Sequence, residues 1–234
     1  MQSIYIIPAP PYMEWFRLTP LDSPVYGQIV TFDRSDLISC QVQSGRLWEE
    51  ELCRELAFHY VPGTDVLDIG ANLGLNTLLM NHYAPITGTV HLFEPQADVF
   101  SMMSYNTRSL KSRRLYNMCL SDGPKLLGYT KSHYNVGATV MKSQQNADIG
   151  IASLALDTIP FANKISVVKM DVEGHEEQVL RGAQRVLFEH KPMLFIEIWG
   201  DKMSVIDPLL TSMNYTLFKH IGGDDYIYKH SGSN

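Results

Sequence analysis

The stretch Val66-Leu67-Asp68-Ile69-Gly70-Ala71-Asn72-Leu73-Gly74 constrains the fold of this chain more than any other. A short apolar run of strand length meets two glycines four residues apart, and a helical pattern follows over 76–83. Gly70 lets the chain turn sharply and leaves bare backbone for a ligand, while Gly74 lets the helix start close to the strand. Strand, tight turn and helix in that order form the unit of a parallel sheet. The unit recurs, with further strands predicted over 89–93, 114–120, 165–170 and 193–198. Phe100, Met103, Thr107 and Leu110 share one helical face, and a helix over about 176–190 turns Val179, Leu180, Ala183, Val186 and Leu187 inward. A helix near 203–213 and a hairpin of 215–220 with 226–229, around Gly222-Gly223-Asp224-Asp225, close the chain.

The expected fold is therefore α/β, a doubly wound, mostly parallel sheet with an antiparallel edge and helices on both faces. Ahead of it, Trp48, Leu52, Leu56 and Tyr60 recur every fourth residue among Glu49, Glu50, Glu51 and Glu55, an amphipathic helix over 47–60 stopped by Pro62-Gly63. Residues 1–44, rich in Pro, Asp and Ser, read as an irregular arm or short-stranded cap on a domain over 45–234. Residues 121–163 break the rhythm, with strand-like pieces near 126–130 and 152–156.

Composition narrows the function. The 234 residues fit one domain, and 45 % are apolar, enough for a core and too many for a disordered chain. A formal net charge of -6 argues against nucleic acid as the partner, and the basic run Arg108, Lys111, Arg113, Arg114 reads as a solvated helix end. Cys40, Cys53 and Cys119 form no metal-binding or disulfide spacing, so neither a metal site nor an oxidising compartment is expected. Ile4-Tyr5-Ile6-Ile7 lacks a basic leader and is cut short by Pro8, Pro10 and Pro11, which is not the pattern of a signal peptide. No run reaches the roughly 20 apolar residues of a membrane span. A cytoplasmic location is expected.

Sheets of this kind bind ligands beyond the carboxyl ends of their central strands, where Asp68 to Gly74 fall. Phe93-Glu94-Pro95 ends the next strand on an acid about twenty residues after the glycines, suited to accept hydrogen bonds from two ribose hydroxyls. A dinucleotide calls for G-x-G-x-x-G and helix amides facing a pyrophosphate. Here the spacing is G-x-x-x-G behind Asp68, which suits the positive end of S-adenosylmethionine better than NAD.

These residues resemble the FkbM family of S-adenosylmethionine-dependent O-methyltransferases. The resemblance rests on 66–74, His91-Leu92-Phe93-Glu94-Pro95 and Cys119-Leu120-Ser121-Asp122. Its most specific part is Val167-Val168-Lys169-Met170-Asp171-Val172-Glu173-Gly174-His175-Glu176, continued by Val179-Leu180-Arg181-Gly182-Ala183 and by Lys191-Pro192. It implies a seven-stranded Rossmann-like sheet and a cofactor site at Asp68, Gly70, Ala71, Asn72, Gly74, Asn76, Glu94, Pro95 and Asp171. Ser121 or Asp122 would read the adenine amine, and Glu49 would lie near the methionine part. The implied acceptor is a hydroxyl of a sugar, glycolipid or small natural-product-like molecule.

Lys169, Asp171 and Glu173 fall at the carboxyl end of an otherwise apolar strand, and Glu197 sits inside Phe195-Ile196-Glu197-Ile198-Trp199 on the next. Unpaired charges buried there are costly, so these groups are expected to meet one another from neighbouring strands, with Lys169 or Asp171 in reach of Glu197 or of the acceptor pocket, as an ion pair or as a cluster that orients or deprotonates a hydroxyl. His175 is a further candidate base, since an ordinary histidine titrates near 6.5. The polar segment 134–139 is expected to border the acceptor pocket or to form an exposed turn. Two other functions fit some of the pattern. An RNA ribose 2′-O-methyltransferase would also use Lys, Asp and Glu, and a fold that had lost catalysis would serve as an interaction module.

Overall fold

The computed structural model describes residues 18–33, 36–129, 139–143, 147 and 149–232. The chain opens with a hairpin of β1 (Thr19–Ser23) and β2 (Gly27–Thr31), then α1 (Leu37–Gln43), whose first turn is capped by Asp36 accepting from the Ser39 amide at 2.9 Å. Tyr26, Ile29, Phe32, Ile38 and Val42 are buried in the same apolar cluster as the helices that follow. Asn106 ties β2 down, accepting from the Val30 amide and donating to the Val30 and Leu73 carbonyls.

The central elements come next: α2 (Glu50–His59), β3 (Asp65–Ile69), α3 (Leu75–Tyr83), β4 (Val90–Phe93), α4 (Ala97–Asn106) and β5 (Arg113–Tyr116). Every residue of β3 and β4 is buried, as near-continuous apolar strands covered on both faces must be. A small sheet follows, from β6 (Cys119–Leu120), β7 (Lys125–Tyr129), β8 (Met141–Ser143) and β9 (Ile149–Leu154), in the order β6-β9-β7-β8. The chain then returns through β10 (Ile165–Met170), α5 (Glu176–Arg181), α6 (Gln184–His190) and β11 (Met193–Glu197). It ends with α7 (Met203–Ser212), β12 (Tyr215–Gly222) and β13 (Asp225–His230).

The main sheet has seven strands in the order β12-β13-β11-β10-β3-β4-β5. The strands from β11 to β5 are parallel; β13 runs antiparallel and slots between β11 and β12, which leaves β12 at the edge. Successive crossovers run one way from β3 and the other way from β10, so the direction reverses between these two neighbours and opens a crevice at their carboxyl ends. Among the described residues no helix is long and apolar enough to cross a membrane.

Two predicted elements are split. The strand expected over 114–120 leaves the main sheet after Tyr116, because Asn117 turns its amide to donate to the Glu94 and Pro95 carbonyls. The helix expected over 176–190 breaks at Gly182, where a Cβ would stand 2.0 Å from the Ser121 carbonyl oxygen. Asp157 restarts it by accepting from the Arg185 and Val186 amides, both at 2.9 Å. The helix expected over 47–60 begins later, after Glu49, which takes a left-handed backbone with φ 47°.

Gly70 fixes the junction of β3 with β10. Its φ is +78°, and a Cβ there would lie 1.7 Å from the Asp171 carbonyl oxygen. At Gly63 φ is +84° with nothing within 4 Å. Gly63→Ala is therefore expected to cost only the left-handed strain, about 1–2 kcal/mol, whereas Gly70→Ala must also push the two central strands apart and should exceed about 4 kcal/mol. Chemical denaturation of both variants checks this; similar costs would show that the strand ends are not in close contact.

Candidate active site

The crevice holds two cavities that share Asn72, Asp171 and Glu173. The first runs past Glu94 between Phe93, Met118 and Leu120 and reaches Thr139 and His175. The second, of about 260 Å³, is walled by Trp48, Glu49, Asn76, Lys169 and Glu197.

The glycine turn builds the floor between them. Gly70 and Ala71 donate their amides to the Phe93 carbonyl at 3.0 and 2.9 Å, locking the turn to the end of β4. Asn72, left-handed at φ 49°, then donates its amide to one Glu94 oxygen at 3.0 Å, and Gln96 donates to the other at 2.8 Å. Burial pushes the Glu94 carboxyl up to about 7, against these two amides. Gly74 caps α3 with φ 77°, and a Cβ there would press Thr107 at 2.6 Å, so the helix starts as close to α4 as the chain allows. Pro95 lines the first cavity beside Glu94.

Lys169 is buried at the end of β10. Its ammonium donates to the Gly70 carbonyl at 3.1 Å and to Asp171 at 3.2 Å, with Asp68 at 3.8 Å. Burial opposes that charge, but Asp171, Asp68 and Glu49 outweigh it and hold the lysine above its ordinary pKa. Asp68 is fixed from its other side by the Thr77 hydroxyl at 2.6 Å. The charges of the two neighbouring strands do gather, and it is Asp171 rather than Lys169 that reaches Glu197. Lys169 lies opposite Asp68 on β3 and turns to the acids on its own side, whereas Glu197 gathers with Asp171 and Glu173, their oxygens all within 4.8 Å.

That gathering is crowded with negative charge. Burial, then Asp171 and Glu173, push Glu197 up to about 9, its one opposing bond being from the Trp199 indole at 3.2 Å. Burial and Asp171 raise Glu173 to about 7, and burial raises Glu49 to about 7 even though Asn76 donates to it. Asp225, opposite Glu197 across the β11–β13 pair, rises to about 6. Asp225 carries no site motif, and only strand register brings it opposite Glu197.

The remaining predicted residues separate. His175 lines the first cavity, its Nε2 3.1 Å from the Ser121 hydroxyl, and is not on the wall shared by Lys169 and Glu197. Ser121 is fully buried behind it, and Asp122 faces out to Lys125, off the cavity wall. Of the segment 134–139, residues 134–138 lie outside the described residues; Thr139 is buried beside Gln96, 3.3 Å away. In the basic run, Arg108 bonds the Gln28 and Tyr105 carbonyls and Arg113 bonds Ser104 and Thr107, so both serve the fold.

The donor set fits a cationic adenosine cofactor. One buried acid stands beyond the glycine turn for the ribose, and a carboxyl-rich cavity with a single lysine on its wall stands next to it. The family model described as the methyltransferase FkbM domain matches residues 68–217. The crystal structure of a methyltransferase FkbM from Methylobacillus flagellatus KT is similar with a TM-score of 0.53 at 18 % identity, over 73 % of this chain and 44 % of that one. The chain thus spans less than half the length of that protein. A putative rRNA-methylase from Clostridium thermocellum is similar with a TM-score of 0.50 at 10 % identity, over 82 % of this chain and 97 % of that one. At such identities both likenesses bear on the fold. A comparison with curated proteins returns no match.

The raised acids set the pH response of the ligand-free protein. A native pKa above the unfolded value of about 4.3 means that the native chain keeps protons the unfolded chain has released, so stability falls as pH rises from there. Glu49, Glu94 and Glu173 at about 7 and Glu197 at about 9 place that loss between about pH 4.5 and 9. Histidines with lowered pKa values oppose this trend up to about pH 6.5, so melting curves should show the loss above pH 7, and Glu197→Gln should flatten that limb. Lys169→Met, which strands Asp68 and Asp171, should instead cost about 3–5 kcal/mol. A Glu197→Gln protein that keeps the full wild-type slope above pH 7 would contradict the crowding.

Proposed function

The chain belongs to the FkbM methyltransferase family, and from that premise we propose that it transfers the methyl group of S-adenosylmethionine to a hydroxyl of a sugar, glycolipid or small natural-product-like acceptor. The observation that carries this reading is the second cavity, where Asp171, Glu173 and Glu197 converge next to the cavity that holds Glu94. Methyl transfer to oxygen has two needs beyond alignment: a place for a cation, and a place for the proton that the hydroxyl loses.

S-adenosylmethionine, when bound, supplies an electrophilic methyl on a positively charged sulfur. Glu94 accepts from the ribose hydroxyls with the lone pairs its two amides leave free. Asn72 stands where the two cavities join, and Glu49 and Asn76 close the far wall of the second. Lys169 holds Asp171 in place rather than taking part in proton transfer, since its charge is needed by the acids around it.

The carboxyl cluster serves both needs. At neutral pH Glu197 holds a proton in the ligand-free protein because its neighbours are acids. A cation placed beside the cluster lowers the raised pKa values of Glu173 and Glu197, which frees them to accept the hydroxyl proton beside Asp171. Loss of the positive charge in the reaction then raises the affinity of the cluster for that proton. One positive charge replaces another, so the site never carries a net change against its low-dielectric surroundings. Positioning supplies several kcal/mol and a placed base roughly 10²–10⁴-fold.

Two measurements test the reading. S-adenosylhomocysteine should raise the melting temperature and NAD should not, and Glu94→Ala should weaken the former roughly ten- to a hundred-fold, the worth of hydrogen bonds to a charged group at about 1.5–3 kcal/mol. With labelled S-adenosylmethionine and a panel of sugars, glycolipids and small alcohols, at least one hydroxyl should be labelled. Asp171→Asn should then cut turnover by about 10² or more and weaken the cofactor by a clearly smaller factor, since Glu173 and Glu197 remain beside the cation. Label transferred only to amines or to RNA would overturn the choice of acceptor.

A further inference from the structure

The end of the first cavity holds a hydrogen-bond relay with only one consistent set of protons. Lys125 grips Asp122, and with the Ser121 hydroxyl it holds the Asp122 carboxyl below the usual carboxylate range. Asp122 is thus ionised and can only accept. The Ser121 hydroxyl has one proton and spends it on Asp122 at 3.0 Å. Its oxygen must therefore accept from the other neighbour, His175 Nε2 at 3.1 Å, and Nε2 carries the hydrogen. Burial keeps the imidazole pKa below its ordinary value, so the ring has one proton and not two. Nδ1 is left as a bare acceptor.

No bond to that Nδ1 is made among the described residues, and it is not among the buried polar atoms left without a partner, so it is accessible, on a side chain that lines the first cavity. The cavity around it is otherwise suited to a flat apolar base. Phe93, Met118 and Leu120 line it together with Glu94, and Asp171 and Glu173 of the carboxyl cluster line it as well. Glu94, these apolar walls and His175 line one cavity, so a base beside a ribose at Glu94 shares that cavity with His175. Of Ser121 and Asp122, the two residues that the family resemblance offers for the adenine amine, Asp122 faces solvent and pairs with Lys125, and the Ser121 hydroxyl is turned to Asp122.

We propose that His175 reads the exocyclic amine of the adenine through Nδ1, with Ser121, Asp122 and Lys125 as positioning residues that fix its tautomer. The proposal rests on the cofactor reading given above and adds to it a determinant of base specificity. Adenine offers an amine donor at the position where hypoxanthine offers a carbonyl acceptor. A fixed acceptor bonds the first and faces the lone pairs of the second. If the tautomer is free, the ring can turn either nitrogen state to the ligand and the distinction fades.

The test compares S-adenosylhomocysteine with S-inosylhomocysteine, the same ligand with hypoxanthine in place of adenine, by calorimetric titration of the full chain. Wild type should prefer the adenine ligand roughly ten- to a hundred-fold, the cost of an unmatched polar group in a buried site. His175→Ala should bring the ratio near one, and Ser121→Ala should lower it mainly by improving the binding of the inosine ligand. A wild-type ratio near one, or a ratio unchanged in His175→Ala, overturns the role of His175 while the cofactor site stands. Failure of wild type to bind S-adenosylhomocysteine overturns both. The wild-type ratio needs no variant to fold.

Discussion

The ammonium of Lys169 sits where the two central strands end, bonded to the Gly70 carbonyl and to Asp171, with Asp68 close by. The contacts come from the ends of two neighbouring strands. Asp68 and Gly70 belong to β3 and its turn, Asp171 to the end of β10, and the register places Lys169 beside Asp68. Remove the lysine and the reversal point of the sheet would face itself with like charges in a buried space. The close approach of Gly70 to the Asp171 carbonyl depends on the same alignment, so the turn that carries the ligand site and the strand that carries the acids are fixed by one cation.

That cation does not neutralise the pocket, and the imbalance is useful. Glu49, Glu173, Glu197 and Asp225 all hold protons more tightly than free carboxyls do, with burial as the first cause in each. A pocket that binds protons because it lacks a cation also favours a cation that displaces them. In the proposed reaction, affinity for a sulfonium and the ability to collect a proton after the sulfonium is gone would come from one arrangement.

How far the sequence discloses this depends on the range of the interaction. The glycine turn, the Glu94 stop and the Lys169 to Glu173 run are local, and the parallel sheet follows from patterns of a few residues each. The failures are all matters of tertiary contact. Nothing near Gly182 announces that Ser121 packs on it and breaks the helix, and nothing near Asn117 shows that it reaches back to Glu94. A meeting of Glu197 with Lys169 or Asp171 is the natural expectation because each is a charge in or at the end of an apolar strand. That reasoning identifies groups that require partners and not which partners they find, and Lys169 found acids closer in register. Asp225 joins the cluster only because β13 inserts beside β11.

Backbone strain marks the same place by an independent route. Among the described residues, five that are not glycine have positive φ, and Glu49, Asn72 and Glu173 among them line the second cavity. Each costs about 1–2 kcal/mol that a glycine at the same position would avoid. The strain has a use at each. It aims the Asn72 amide at Glu94, sets the Glu49 carboxyl against Asn76 at the entrance to α2, and turns the chain after β10 so that Glu173 faces Glu197. Glycine would relieve the backbone at all three but would remove the side chains that make the wall. A chain that keeps strained acids and an amide around one cavity, and leaves glycine at Gly70 where a Cβ cannot fit, divides its residues by what the cavity needs.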